Sequence, residues 1–254
     1  MNHNATKGCD LALEVVGLIL AGGSGSRLMP FTNYTHKSLL PIHDRPVIDY
    51  ALSTLRNAGI KDITIVANRH IVQISEHVGD GIDGEEIRYV LEKEPKGVKE
   101  ALSLARSWTE GKRVLVYFSD NITSFDFSKD VTEFRDSNGP PGAVLLVREV
   151  EDPSAFGVCV LDESGNVTDI VEKPEDRISN LAVGGIYLFD EDFFSRVDTV
   201  EADFSISEIT RQYVSEGKAS IRNVGESTWI DCGTPMSLFN ATKMAIAGEI
   251  CIND

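Results

Sequence analysis

Residues 15–20 form a continuous apolar run, VVGLIL, too short for a helix and suited to a strand buried on both faces. Val47, Ile48, Ala51, Leu52 and Leu55 then recur at helical spacing across 46–58, with Pro46 in a first-turn position and Gly59 as a stop. Residues 62–67, DITIVA, return to strand character. Residues 71–78 are helical, 79–84 are a loop, 87–91 a strand, 98–108 a helix and 114–118 a further buried strand. Strand and helix alternate at βαβ intervals, which predicts a parallel sheet covered on both faces.

The pattern changes after Asn138. NGPPG reads as a loop and 143–150 as a strand. Residues 156–160 and 167–172 flank LDESGN, a hairpin-type turn with Gly165 available for positive φ. Residues 182–189 are another strand, 192–197 and 205–216 are helical, 229–231 follow as a short strand-like segment, and a helix runs over about 235–247. With no internal repeat or linker, the later strands read as an insertion on the same core. The organisation expected is a tail over 1–14 and a single domain over 15–254. The fold class is α/β: a Rossmann-like, doubly wound, mixed but mostly parallel sheet with a small β-rich insertion.

Composition narrows the partners. The chain of 254 residues carries 40 acidic against 24 basic side chains, a formal net charge of −16. A surface this acidic repels nucleic acid and anionic membranes, so any small anionic ligand needs a local cluster of cations. No apolar run is long enough to span a bilayer, and the N-terminus lacks the charged and apolar regions of a secretory signal. Cys9, Cys159, Cys232 and Cys251 show no C-x-x-C spacing, so they read as reduced thiols of a cytoplasmic protein.

Candidate chemistry begins with AGGSGSRL, directly after the first strand. Glycines there let backbone N–H groups approach phosphate oxygens. A P-loop would need Gly-Lys-Ser/Thr, which is absent. A dinucleotide fingerprint counted from Gly23 and Gly25 would need a third glycine where Leu28 stands. A tight structural turn is the plain alternative; Arg27 and Lys37, two cations beside the exposed N–H groups, favour a triphosphate. Asp120 and Asp231 each follow a strand-like segment. Strand ends on one edge of a parallel sheet are where ligands bind, and two carboxylates meeting there call for a cation between them. Their plain alternatives are a helix N-cap for Asp120 and a turn residue for Asp231.

LAGGSGSRLMPFT followed by KSLLPI resembles the nucleotide-binding signature of the sugar-1-phosphate nucleotidylyltransferases, and within them the glucose-1-phosphate thymidylyltransferases. YFSDNI, FGVCVLDESGNVTDIVEKP, SNLAVGGIYLFD, ISEITRQYVSEGK and WIDCGT follow in the family's order, from about 15 to 247. The resemblance implies that a sugar-1-phosphate, by default glucose-1-phosphate, attacks a nucleoside triphosphate, by default dTTP, to give a nucleotide sugar and pyrophosphate. It also implies a nucleotide-binding part over about 15–138 and a sugar-phosphate-binding part over about 139–235. Leu20, Ala21, Gly22, Gly23, Gly25, Arg27, Lys37, Glu92, Gly97 and Asp120 would bind the nucleotide. Gly157, Glu172, Lys173, Val183 and Arg211 would bind the sugar phosphate. Asp120 and Asp231 would hold Mg²⁺, and Arg27, Lys37, Asp120 and Lys173 would carry catalysis. Taken alone, Arg211 sits in a helical pattern and reads as a solvated charge. Gly157 and the pair Gly184–Gly185 suggest a small-residue pocket for a hexose.

Three positions depart from the pattern. Phe156 stands where relatives have Tyr, and Ser119 where Gly is usual. Glu92 stands where thymidylyltransferases place Gln, and a carboxylate accepts hydrogen bonds without donating. That suits a donor-rich base edge such as guanine or cytosine, so GTP, UTP or CTP with another sugar phosphate stays open. So do homo-oligomerisation and a catalytically silent sensor or scaffold.

Overall fold

The computed structural model describes residues 14–136, 142–201 and 205–252. Almost all of the expected tail, Cys9 and most of NGPPG lie outside the described residues. In chain order the strands are β1 (Val15–Ala21), β2 (Pro41–Ile42), β3 (Arg45–Pro46), β4 (Asp62–Ala67), β5 (Glu86–Leu91), β6 (Arg113–Phe118), β7 (Asn121–Thr123), β8 (Ala143–Glu149), β9 (Gly157–Leu161), β10 (Val167–Glu172), β11 (Leu181–Phe189), β12 (Ala219–Asn223) and β13 (Trp229–Asp231). The α-helices are α1 (Val47–Asn57), α2 (Ile71–Val78), α3 (Val98–Thr109), α4 (Ser128–Asp136), α5 (Phe193–Val197), α6 (Ile206–Ser215) and α7 (Pro235–Ile246).

Among the described residues nine strands make one sheet, in which β5, β4, β1 and β6 are neighbours and parallel. β11 pairs antiparallel with β6 and continues the sheet to β9, β10, β8 and β12. The β-rich part therefore extends the same sheet. β1 is buried along its whole length and feeds both faces. Val16, Leu18 and Leu20 pack with α3, α5 and α6; Val15, Ile19 and Ala21 pack with α1, α2 and α4. This is the alternation that a strand covered on both sides requires.

Besides the two-residue strands β2 and β3, three elements escape the hydrophobic pattern. α4 buries only Val131, Phe134 and Asp130, the last held by Arg222 at 2.5 Å, too narrow a stripe to stand out. β12 is a half-buried edge strand parallel to β8. β7 is three residues long and pairs with β13. Pro46 ends β3 and precedes α1 rather than starting it.

Candidate active site

The parallel strands β1, β4, β5 and β6 end on one edge of the sheet, where Ala21, Ala67 and Leu91 are in register and Leu20 faces Phe118. The chain winds outward from β1 to β4 and β5, then returns on the other side to β6. The edge beyond β1 and β6 is thus a topological switch point, where open α/β sheets bind ligands. The glycine loop leaves from here. Gly25 has φ +64°, and a Cβ on it would meet Thr32 at 2.7 Å. Thr32 Oγ1 donates to the Gly25 carbonyl at 2.9 Å, and Leu28, fully buried, pins the loop from below.

Arg27 is exposed and reaches across to the β13 side. A Cβ on Gly233 would lie 2.5 Å from Arg27 Nη2 and 2.6 Å from Asp231 Oδ1, so glycine there lets the guanidinium and the carboxylate share one corner. Lys37 Nζ contacts Asp120 Oδ2 at 2.5 Å. Burial would raise the Asp120 pKa, but the Lys37 ammonium overrides it and holds the carboxyl below its usual range. Asp231 is raised by burial and then by the charge of Asp120. The two aspartates therefore face each other's field, as their strand-end positions suggested.

This donor set fits a hard divalent cation. Two half-buried carboxylates facing each other repel, and a cation between them relieves the repulsion. Among the described residues no third His, Cys, Asp or Glu joins them, so phosphate and water oxygens would complete the shell of a Mg²⁺ ion.

Beside the loop lies a cavity of about 280 Å³ lined by Leu20, Gly22, Gly23, Lys37, Glu92 and Gly97, with Phe118 and Ala101 as its apolar walls. Glu92 is 2% exposed. Its carboxylate presses against Gly22, where a Cβ would fall 1.8 Å from Oε2. Burial pushes its pKa up, partly offset by a hydrogen bond from the Lys96 backbone. Ala21 lies behind this cavity, with its side chain in the core towards α1.

The sugar-side candidates are looser. Gly157 pairs with Glu172 across β9 and β10. A Cβ on Gly157 would meet Glu172 Oε2 and Ser207 Oγ, both at 3.2 Å, and Ser207 donates to Glu172 at 2.6 Å. Lys173 has φ +43° and sits 3.8 Å from Glu172. Arg211 turns to β10, donating to the Ile170 carbonyl at 2.5 Å and lying 3.5 Å from Asp169. Val183 is buried in β11 opposite Val147.

A family model described as nucleotidyl transferase matches residues 16–247. The chain belongs to the nucleotidyl transferase family. It is 36% identical over 234 residues to a glucose-1-phosphate thymidylyltransferase of Xanthomonas campestris, covering 89% of this chain and 79% of that one. It is 33% identical over 236 residues to the low-salt glycan biosynthesis nucleotidyltransferase Agl11 of Haloferax volcanii, covering 91% of this chain and 66% of that relative. A solved Bacillus anthracis protein, provisionally named a glucose-1-phosphate thymidylyltransferase and bound to a sucrose, superposes with a TM-score of 0.87. It is 33% identical, with 95% of this chain and 98% of that one covered. A UDP-glucose pyrophosphorylase complexed with UDP-glucose shares the fold, with a TM-score of 0.78 at 23% identity over 93% and 99% of the two chains. No helix among the described residues is long and apolar enough to cross a membrane.

Several residues that shape the site of this nucleotidyl transferase left no signal in the sequence. His36 is buried, with Nε2 donating to the Ala21 carbonyl at 2.6 Å and Nδ1 accepting from the Ser38 amide at 3.0 Å. Burial depresses its pKa to about 4, so the imidazole is neutral and ties the end of β1 to the Lys37 segment. Ser38 Oγ donates to Ser119 Oγ at 2.7 Å, which gives the Ser119 departure a partner. The Asp120 carbonyl accepts from the Cys232 amide at 2.7 Å. The side-chain Oδ1 of Asn121 accepts from Gly185 N at 3.2 Å and Trp229 Nε1 at 2.9 Å. That corrects one expectation. A Cβ on Gly184 would lie 3.1 Å from Trp229 Nε1, and one on Gly185 2.4 Å from Asn121 Nδ2, so the glycine pair makes room for protein side chains. Phe156 stacks edge-on against Trp229 at 5.3 Å.

Proposed function

We propose that this nucleotidyl transferase joins a sugar-1-phosphate to a nucleoside triphosphate. An oxygen of the sugar phosphate attacks the α-phosphorus, the bond from that phosphorus to the bridging oxygen breaks, and pyrophosphate leaves with the electron pair. The names of the relatives support glucose-1-phosphate and dTTP as the default pair. The observation that carries the reading is the convergence of Arg27, Lys37, Asp120 and Asp231 at the mouth of the glycine loop.

Both reactants are polyanions, so positioning and charge stabilisation should supply most of the rate. Arg27 and Lys37 hold the phosphates, and Lys37 is itself oriented by Asp120. Gly22, Gly23 and Gly25 offer backbone N–H groups without Cβ interference. Glu92 and Gly97 receive the base, and Leu20 forms its floor. Asp120 and Asp231 would hold Mg²⁺, which would supply charge neutralisation between the two polyanionic reactants. Gly157, Glu172, Lys173, Val183 and Arg211 take the sugar phosphate, Val183 through its backbone. In this reading residues of about 15–138 serve the nucleotide and about 139–235 the sugar phosphate within one domain over 15–254. Substrates of this kind and the free thiols of Cys159, Cys232 and Cys251 support a cytoplasmic location.

The buried Glu92 supports a second reading of the base. A carboxylate facing the base edge accepts two hydrogen bonds from a guanine N1–H and amino group, and meets a thymine or uracil O4 with repulsion. The test is pyrophosphate release from dTTP, UTP, CTP and GTP against several sugar-1-phosphates with Mg²⁺. Release with glucose-1-phosphate and dTTP is the default outcome, and a GTP preference selects the second reading. No release from any pair by folded protein overturns the enzymatic reading in favour of a sensor or scaffold.

A further inference from the structure

The helix α7 is apolar on two sides. Leu238, Ala241, Met244 and Ala245 face inward and join Ile42, Val47, Tyr50 and Ile122 in a core cluster. On the outer side Met236, Phe239 and Ile246 are 66%, 58% and 65% exposed. Together with the exposed Lys243 they follow one another at steps of 3, 4 and 3 residues, which places all four on one stripe. A surface helix anchored on its inner side normally turns polar residues outward. Here the only ionisable side chain of the helix, Lys243, lies over the Phe239 ring at 5.0 Å.

The stripe also stands apart in charge. The chain has 40 acidic residues and a net charge of −16, yet α7 has no carboxylate. In sequence the nearest stand beyond its two ends, at Asp231 and Glu249, and Asp44 lies in the turn after β2, the strand against which α7 packs. Two copies of this chain repel each other over most of their surfaces. The outer side of α7 offers apolar contact without opposing carboxylates.

Read in reverse, the stripe matches itself. When two copies of α7 run antiparallel about a two-fold axis level with Ala241, position 236 lies opposite 246 and position 239 opposite 243. Met236 of one copy then meets Ile246 of the other, and the Phe239 ring of one meets the Lys243 ammonium of the other. Each contact is made twice, as an isologous interface requires. A parallel pairing would set Lys243 against Lys243.

We propose that the outer side of α7 is the seam of a two-fold dimer of this chain. The helix is about 18 Å long, so the seam falls short of the roughly 1,600 Å² of a standard stable interface. The dimer is therefore a reversible one, half dissociated at roughly 1–100 µM.

Sedimentation velocity of the whole protein, from about 1 to 500 µM, tests this by showing a dimer whose share grows with concentration. Phe239→Lys opposes like charges in two layers and should raise the dissociation constant at least about tenfold. Adding Lys243→Glu to that variant restores opposite charges across the same layers and should recover most of the loss. A parallel pairing would oppose like charges in both layers and recover nothing. Ile178→Lys, in the loop between β10 and β11, removes another exposed apolar side chain and should leave the constant within about twofold. Ile246→Lys, at the end of the stripe, should weaken the dimer as Phe239→Lys does, and serves in its place if that variant melts early. A wild type that stays monomeric at about 500 µM, a dimer indifferent to Ile246→Lys, equal weakening by Ile178→Lys, or no recovery in the charge-paired double variant would each overturn the proposal.

Discussion

The two halves of the proposed site are built differently. On the nucleotide half, functional groups sit at the ends of buried parallel strands and are tied to one another. The Lys37 and Asp120 side chains are 16% and 14% exposed, and Glu92 and His36 are buried. On the sugar half, the charged groups sit on or just past the edge strand β10 and on α6. The Lys173 side chain is 65% exposed and that of Arg211 42%, each leaning on a nearby carboxylate. A parallel strand end inside a doubly wound sheet fixes its side chain by packing on both faces, whereas an edge strand leaves it to find partners in water. The first half is arranged before any ligand arrives; the second offers charges that a ligand must recruit.

The contrast breaks most sharply at Asp120. Replacing it by Asn keeps the shape, leaves the Lys37 ammonium without its counter-charge and removes one of two carboxylates for the metal. We expect kcat to fall on the order of 10³-fold with Mg²⁺, the scale of a lost preorganised electrostatic group. Asp120→Asn within tenfold of wild type would mean that this edge is not the catalytic one.

His36 sharpens the same half through stability. The unfolded imidazole takes up a proton near its ordinary value of 6.5, whereas the folded one stays neutral down to about 4. Between those values only the unfolded chain gains the proton, so the His36 contribution is complete above pH 6.5. It is lost as pH falls towards 4 and is level below that. The loss amounts to about 3 kcal/mol. Urea unfolding across pH 4–7 should show His36→Gln with a shallower decline than wild type over that interval. Parallel profiles would mean the imidazole is not held neutral.

Glu92 tests whether the fixed half also chooses the base. Glu92→Gln adds a donor and removes a charge, so kcat/KM for dTTP or UTP should rise relative to GTP by about tenfold. An unchanged ratio, measured in competition, would place the base elsewhere.

Legibility in the sequence follows the same division. The apolar run of β1 announced a central strand because both of its faces are covered, and the βαβ rhythm announced the parallel half of the sheet. Arg27, Lys37 and Asp120 stood out because charge beside glycine or at the end of an apolar run is uncommon. His36, Ser38 and Asn121 did not, and the Ser119 departure did not show its partner, since each is an ordinary polar residue whose contacts lie far off in the chain: Ser38 and Ser119 meet only when β6 closes beside β1. α4 and β12 escaped for want of a wide apolar stripe. Gly184–Gly185 misled because a missing side chain does not say whether ligand or protein fills the space.

The smallest effect belongs to Arg211. Its guanidinium already has the Ile170 carbonyl and Asp169, so recruiting it to a sugar phosphate exchanges one set of partners for another and the net gain is small. Arg211→Ala should therefore raise KM for the sugar-1-phosphate by about fivefold, roughly 1 kcal/mol, while KM for the triphosphate stays the same. Asp169→Asn should move the first of these constants the other way, because it removes the competitor and leaves the guanidinium free for phosphate. Opposite movements of one KM under these two substitutions are what a half completed by its ligand requires. A structural tie would instead lower the melting temperature in both variants and leave both KM values in place.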